Sequence, residues 1–421
     1  MAKRSEAIYF GPARSDAENN AFASVLSHSF GRNEQETGQW VETHARENLR
    51  VLVSGQRVTG GLFLVRMGQY FNGQRVTMVG IQGVGVAPDA RGRGTASDMM
   101  DRTLRELHAE GCPISALYPA NQTLYRRSGY EQAGHRFEVR IPLHRIAQRG
   151  SMNGGDGLTI CEGRAEGVDA AKVRAVYATF AAACQGSLDR NTLVWKRIEF
   201  PPPTRHEPAR LFLIERGRVP EAYVYLAQLA TPSGAGAGRY DVVVHDMAAI
   251  TASAAQRLWA FLAGYSTIGN DLIWMTGPTN PLLLALPEQT YKPMTLKDHW
   301  MLRIVDLKRA MQERGWPAGM DATLRLNVKD ELLRENNGCW ALRVRDGAAS
   351  LRRLPGRSPA HRSGGPAISC DIGALATLYA GFQSATQLAM DGRVHGSPES
   401  VELAAAVFAS TRGAPMLTDM F

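Results

Sequence analysis

The chain has 421 residues, 44% of them hydrophobic and 21% charged, with a net charge of +8. That length exceeds one ordinary core and predicts two or three globular domains, and the composition excludes a disordered chain. No apolar run reaches the roughly 18 residues of a membrane span, and the start MAKRSEAIYFGPARSD lacks an apolar h-region, so no membrane partner and a cytoplasmic location are expected.

Five cysteines at 112, 161, 184, 339 and 370 form no CxxC pair, and the ten histidines include no HExxH. Buried free thiols and no metal are therefore expected. The positive charge suits anionic partners such as phosphorylated cofactors. The arginines are spread along the whole chain without a recognition-helix or RNP-type motif, so no nucleic-acid partner is expected.

The first block, residues 1–145, carries SFGRNEQETGQW (29–40), whose Phe30 and Trp40 are read here as plain core residues. Further on, Val79, Ile81, Val84 and Val86 predict a strand interrupted by Gly83 and Gly85. Glycine inside a strand marks a bulge or the close approach of another molecule. Arg91, Gly92, Arg93, Gly94, Thr95 and Ala96 follow, and then Met99, Met100, Thr103, Leu104 and Leu107 share one helical face. A small-residue loop thus opens a helix directly after a glycine-broken strand. Its backbone N–H groups can receive a pyrophosphate, glycine at 94 lets the anion approach, and Arg91 and Arg93 add charge-assisted contacts. The pattern Arg-x-x-Gly-x-Ala alone is loose; its placement between strand and helix gives it weight.

Next comes CPISALYPANQTLYRRSGYEQAG, read as a strand over Ile114–Leu117 and a short helix beginning at NQTLYRRSGY. Tyr125 stands four residues before Gly129-Tyr130, with Tyr118 and Tyr130 as rival phenols. HRFEVRIPL alternates as a strand and RGSMNGGDG (149–157) reads as a linker.

The second block, 146–299, mixes a helical stretch AAKVRAVYATFAAA with strand-like RLFLIE, EAYVYLAQLA and DLIWMTG. Its GAGAGR (234–239) lacks the Gly-Lys-Ser/Thr ending of a phosphate loop and reads as a hairpin tip. The third block, 300–421, opens with MLRIVDLKRAMQERG, a strand and then a helix. LPGRSPAHRSGGPA is a loop, Asp371 caps a helix IGALATLYAGF, and Ser397-Pro398 starts a last one with Val401, Leu403, Ala404, Val407 and Phe408 on one face. Pro415 cannot continue it. The tail that remains carries Met416, Leu417, Met420 and Phe421, too apolar for a frayed terminus and expected to be buried.

The paired loop and tyrosine motifs, Arg91-x-x-Gly94-x-Ala96 and Tyr125 to Gly129-Tyr130, resemble those of the Gcn5-related N-acetyltransferases (GNAT). Over nearly its full length the chain resembles the Eis (enhanced intracellular survival) family, chiefly through GVGVAPDARGRGTASDMMDRTLRELHAEGCPISALYPANQTLYRRSGY and more weakly through RLWAFLAGYSTIGNDLIWMT and WMLRIVDLKRAMQERGW. The resemblance implies a mixed α+β chain: an acetyl-CoA-binding GNAT domain, a second GNAT-like domain without a coenzyme loop, and a C-terminal domain of sterol-carrier-protein fold. It implies acetyl-CoA as co-substrate, held by Val84, Gly85, Val86 and Arg91 to Ala96. Tyr125 would be the general acid for the departing thiolate, and the terminal carboxylate of Phe421 the general base. Phe30, Trp40, Gly83 and Asp419 would line the acceptor pocket. The implied acceptor is a small-molecule amine, with aminoglycoside antibiotics known among the family, and the implied assembly is a homohexamer. Arg32 stands where an acid would suit a cationic sugar, with Glu34 and Glu36 near it, so a smaller amine fits as well. Acetylation of a peptide or protein lysine and a non-catalytic carrier of apolar ligands remain the other readings.

Overall fold

The computed structural model describes residues 8–146, 157–200, 209–231, 238–286, 288–355 and 365–421. The expected linker at 149–157, the tip at 234–239 and the loop at 354–367 fall largely outside the described residues.

Alternation and β-branched content set the strands, and thirteen of them join in one sheet. From one edge its path runs Ile8–Pro12, Leu49–Ser54, Arg57–Phe71, Gln74–Val86 and Ile114–Leu117, reaches Thr295–Ile304, and continues through Glu131–Pro142, Gly269–Thr276, Tyr240–Ala249, Val219–Ala230 and Arg210–Arg216 to Leu158–Gly163. The pair Leu188–Asp189 attaches to Arg57–Phe71 off that path. Thr295–Ile304 is the unexpected member. It lies between two strands from the start of the chain, pairing Leu302 with Ala116 on one side and Trp300 with Gly134 on the other. Its run from Trp300 to Val305 is buried throughout, as a central strand covered on both faces requires. The composition shift at 299/300 therefore falls inside one strand.

A second, five-stranded sheet runs Ala348–Arg353, Gly338–Arg345, Asp321–Lys329, Ala367–Asp371 and Val394–Gly396. Helices Ile372–Ala380 and Pro398–Val407 start where the sequence places them: Asp371 Oδ1 accepts from Ala374 N, and Ser397 Oγ accepts from Ser400 N. Val401, Ala404, Val407 and Phe408 are buried, with Leu403 at the margin.

One polar anchor holds this part together and a second ties it to the large sheet. The Arg314 guanidinium, fully buried, donates to the carbonyls of Tyr379, Gly315 and Phe408. Asn72 donates to the carbonyls of Gly315 and Ala409 and accepts from Thr411 N at 2.9 Å. Each satisfies backbone groups that burial would otherwise orphan. Among the described residues, no helix is long and apolar enough to cross a membrane.

Candidate active site

The glycine-broken strand Gln74–Val86 carries the bulge its sequence suggests. Gly61 pairs with Gly85 and Phe63 with Gln82, so Gly83 and Val84 share the single partner Leu62. Gly83 has φ +61°, where a side chain would strain the backbone. On its other edge the strand pairs in parallel with Ile114–Leu117 only at Met78, Val79 and Gly80. Beyond Gly80 the strands part, and a notch opens between the bulge and Tyr118-Pro119.

The predicted helix spans Thr95–Ala109, burying Met99, Met100, Thr103, Leu104 and Leu107. Gly94 is its N-cap, left-handed at φ +80°, and no side chain caps it. Gly92 is also left-handed at φ +72°, and a Cβ built on either glycine would meet nothing within 4 Å. The loop is thus an open cradle at the positive end of a fifteen-residue helix. Arg91 folds back to donate to the Val86 carbonyl at 3.2 Å, and Thr95 Oγ1 donates to Ala90 O at 2.8 Å.

Three tyrosines stand around the notch, and their partners separate them. Tyr130 donates to Ser115 Oγ, which donates to Val79 O, locking the paired ends of the strands. Tyr118 donates at 2.6 Å to the carbonyl of Leu417, a residue 299 positions away. Tyr125, on helix Gln122–Arg127, has no hydrogen-bond partner among the described residues. It is 5% exposed among Met99, Met100 and Leu117, and burial pushes its phenol up to about 12.

The C-terminal tail arrives from the second sheet. Met416 N donates to Gln185 O and Leu417 N to His135 O. Asp419 meets the buried Arg190, which also holds Asp246 and stacks on Tyr177 with 3.6 Å from guanidinium carbon to ring centroid. Burial raises the Asp419 carboxyl against the pull of Arg190, while the two carboxylates hold Arg190 well above its ordinary value despite burial. Phe421 ends the chain 6% exposed, its ring against Gly80 and 5.9 Å from that of Tyr118. The last residue thus packs where the two strands part. Met420, expected inside, is 48% exposed because its side chain turns away while its carbonyl accepts from Arg197 Nη1 at 3.0 Å.

The remaining expected residues divide. Trp40 lies beside the bulge, its ring 3.2 Å from where a Gly83 Cβ would stand, and packs edge-on to Phe63. Phe30 is 48% exposed with the Arg32 guanidinium 5.8 Å from its ring. The Asp419 carboxylate, expected to face an acceptor, is engaged by Arg190. The Val86 N–H is also engaged, by Ser29 Oγ at 3.3 Å. His44, Gln82 and Arg197 were missed. They carry no motif, and only the fold gathers them beside Trp40.

Comparison with known proteins bears on the fold. Residues 13–133 and 186–304 each match an acetyltransferase (GNAT) domain, and 307–418 match a sterol carrier protein domain. A GCN5-related N-acetyltransferase from Anabaena variabilis superposes with TM-score 0.87 at 30% identity, over 99% of this chain and 100% of that one. The chain belongs to the Eis family of GCN5-related N-acetyltransferases. N-acetyltransferase Eis of Mycobacterium tuberculosis is 26% identical over 75% of this chain and 73% of its own. An uncharacterized N-acetyltransferase of Streptomyces griseus is 27% identical over 83% and 85%. The expected architecture of two GNAT domains and a C-terminal sterol-carrier-like domain holds.

In this acetyltransferase the tail depends on Arg190. Arg190→Met leaves two buried carboxylates unpaired and is expected to cost about 3–5 kcal/mol. Asp419→Asn keeps an acceptor and should cost about 1 kcal/mol. Denaturant titration of both variants checks the order, and equal losses would contradict it.

Proposed function

We propose that this N-acetyltransferase moves acetyl from acetyl-CoA to the primary amine of a small molecule, with Tyr125 as acid and the carboxylate of Phe421 as base. The observation that carries the reading is the return of Phe421 to Gly80, where the strands part, on the domain that also holds the unpartnered Tyr125. The residues fit the coenzyme: the open glycines at 92 and 94 and the uncapped helix offer N–H groups to a pyrophosphate, with Arg91 and Arg93 beside them. Bound acetyl-CoA supplies an acetyl thioester, and transfer makes a C–N bond, breaks the C–S bond and frees one proton overall.

Each step has a residue for it. The amine is protonated at neutral pH and must lose a proton before it attacks. The terminal carboxylate takes that proton, directly or through water. An unperturbed α-carboxyl, at about 3.3–3.7, is a weak base, so its position beside the amine carries the step. The N–H groups of the bulge, Gly83 to Gly85, receive the oxygen that gains charge, a contribution of roughly 10²–10³ in rate.

Tyr125 faces the departing sulfur. At about 12 its phenol is protonated at every working pH. A full transfer to a thiolate near 8.5 would run uphill by ~5 kcal/mol. The phenol therefore donates a hydrogen bond as the C–S bond lengthens, and gives up its proton in concert with replacement from the amine.

Tyr125→Phe is expected to bind acetyl-CoA normally and lose ~10²–10⁴ in kcat; an unchanged kcat would remove Tyr125 from the chemistry. Because this phenol acts when protonated and ionises only near 12, kcat/KM should show no alkaline fall from it up to pH 10. Deleting Phe421, or extending the chain beyond it, should abolish most turnover while leaving the thermal transition in place. Full activity in a C-terminally tagged protein would eliminate the terminal base.

A further inference from the structure

The acceptor side of the notch is positively charged. Arg197, on helix Thr192–Glu199, reaches between the bulged strand and the tail. Its Nη1 donates to the Met420 carbonyl, one residue before the terminus. With the Gln82 amide turned so that its carbonyl faces Arg197, that oxygen accepts from Nη2 at 2.7 Å and from Nη1 at 3.3 Å. The Gln82 NH₂ then faces His44 Nε2, and His44 Nδ1 donates to Trp40 O at 3.0 Å, which fixes the imidazole neutral. Burial first, then the Arg197 charge, keeps the His44 pKa below its ordinary value.

No carboxylate balances this guanidinium. Among the described residues no acid, the chain terminus included, forms an ion pair with Arg197. Burial, and then the neighbouring Arg32, bring its pKa down to about 10, so it stays charged at neutral pH while half-buried. Arg32 has no acidic partner among the described residues either. The acids around the tail are already engaged: Asp246 and Asp419 by Arg190, Glu199 by Arg174, Asp298 by Arg136. A half-buried cation held by two neutral carbonyls, with the Trp40 ring beneath it and a second cation beside it, suits an anion.

We infer that the acceptor is a primary amine bearing a carboxylate, held by the fork of Arg197 with Arg32 at the rim, and not a polycationic amine. This rests on the proposed acetyl transfer and names its substrate class. The position follows from the contacts: Arg197 touches the residue before the terminal base and the residue before the bulge. A carboxylate on its free edge places the same molecule's amine between them. A polycation would meet two arginines there, and among the described residues Asp246 and Asp419 are already taken by Arg190.

The test is acetyl-CoA thiol release with 5-aminovalerate, its amide 5-aminopentanamide and a polycationic aminoglycoside. Wild-type kcat/KM should favour the acid over the amide by ~10–100-fold, the range of a charge-assisted hydrogen bond, with the aminoglycoside poorest. Arg197→Gln should bring the acid-to-amide ratio to within about threefold of unity. Arg32→Ala, at an exposed position, should lower the same ratio less and serves if the first variant does not fold. A wild-type ratio near unity, a preference for the aminoglycoside, or a ratio unmoved by both substitutions overturns the inference, leaving Arg197 as a clasp for Met420. Thiol release with no amine at all would instead overturn the acetyl-transfer reading beneath it.

Discussion

One buried guanidinium governs the site. Arg190 holds Asp246 at the sheet and Asp419 in the tail, with the faces of Tyr177 and Trp195 against it and the Tyr223 hydroxyl closing on Asp246 at 2.6 Å. Such an arrangement is a poor source of stability, because desolvating three charges offsets most of their attraction. Its use is register. An apolar tail of Met416, Leu417 and Phe421 could slide along a greasy groove by one residue at little cost. A carboxylate seated between Arg190 and the Tyr177 hydroxyl cannot. Fixing residue 419 fixes residue 421, and with it the terminal carboxylate.

The groove that admits the tail is made by absent side chains. A Cβ on Gly277 would stand 2.5 Å from Met416 Cβ, and one on Gly80 would stand 2.5 Å from two ring carbons of Phe421. Gly134 would drive a side chain into Pro415 O and the Trp300 ring, and Gly186 would bring one to 2.9 Å from Met416 O. Gly80, Gly134 and Gly277 have ordinary backbone angles, so room and not conformational freedom is what they provide. They come from residue 80 at one end and residue 277 at the other, which makes the corridor a property of the joined sheet and not of one domain.

That distance explains what the sequence could tell. Helix Thr95–Ala109, strand Ile114–Leu117, the Asp371 and Ser397 caps and the bulge at Gly83 are all local: a few adjacent residues determine each, by period, by a capping oxygen or by a glycine. The buried tail was legible too, because apolar residues at a terminus need cover. What was hidden depends on pairs far apart. Arg190 meets Asp419 across 229 positions, and Arg197 meets Met420 across 223. Nothing near either arginine sets it apart from the many paired ones on the surface. The strand Thr295–Ile304 reads as buried from its apolar run, yet nothing in that run says that it sits between Ile114–Leu117 and Glu131–Pro142.

The three tyrosines show how one side chain acquires three roles from its surroundings. A phenol in an apolar place seeks a partner, since leaving it without one costs about 1–3 kcal/mol. Tyr130 finds Ser115 and fastens the strands below the notch; Tyr118 finds the Leu417 carbonyl and fastens the tail above it. Both hydroxyls are committed by the fold, and using either in catalysis would loosen the structure that positions the reacting groups. Tyr125 is 5% exposed, yet its hydroxyl forms no such bond among the described residues and is not closed off from solvent. The fold therefore leaves this phenol uncommitted. In the proposed transfer that leaves it free to meet a sulfur that arrives with the substrate and gains negative charge as it leaves, when a hydrogen bond to it is strongest.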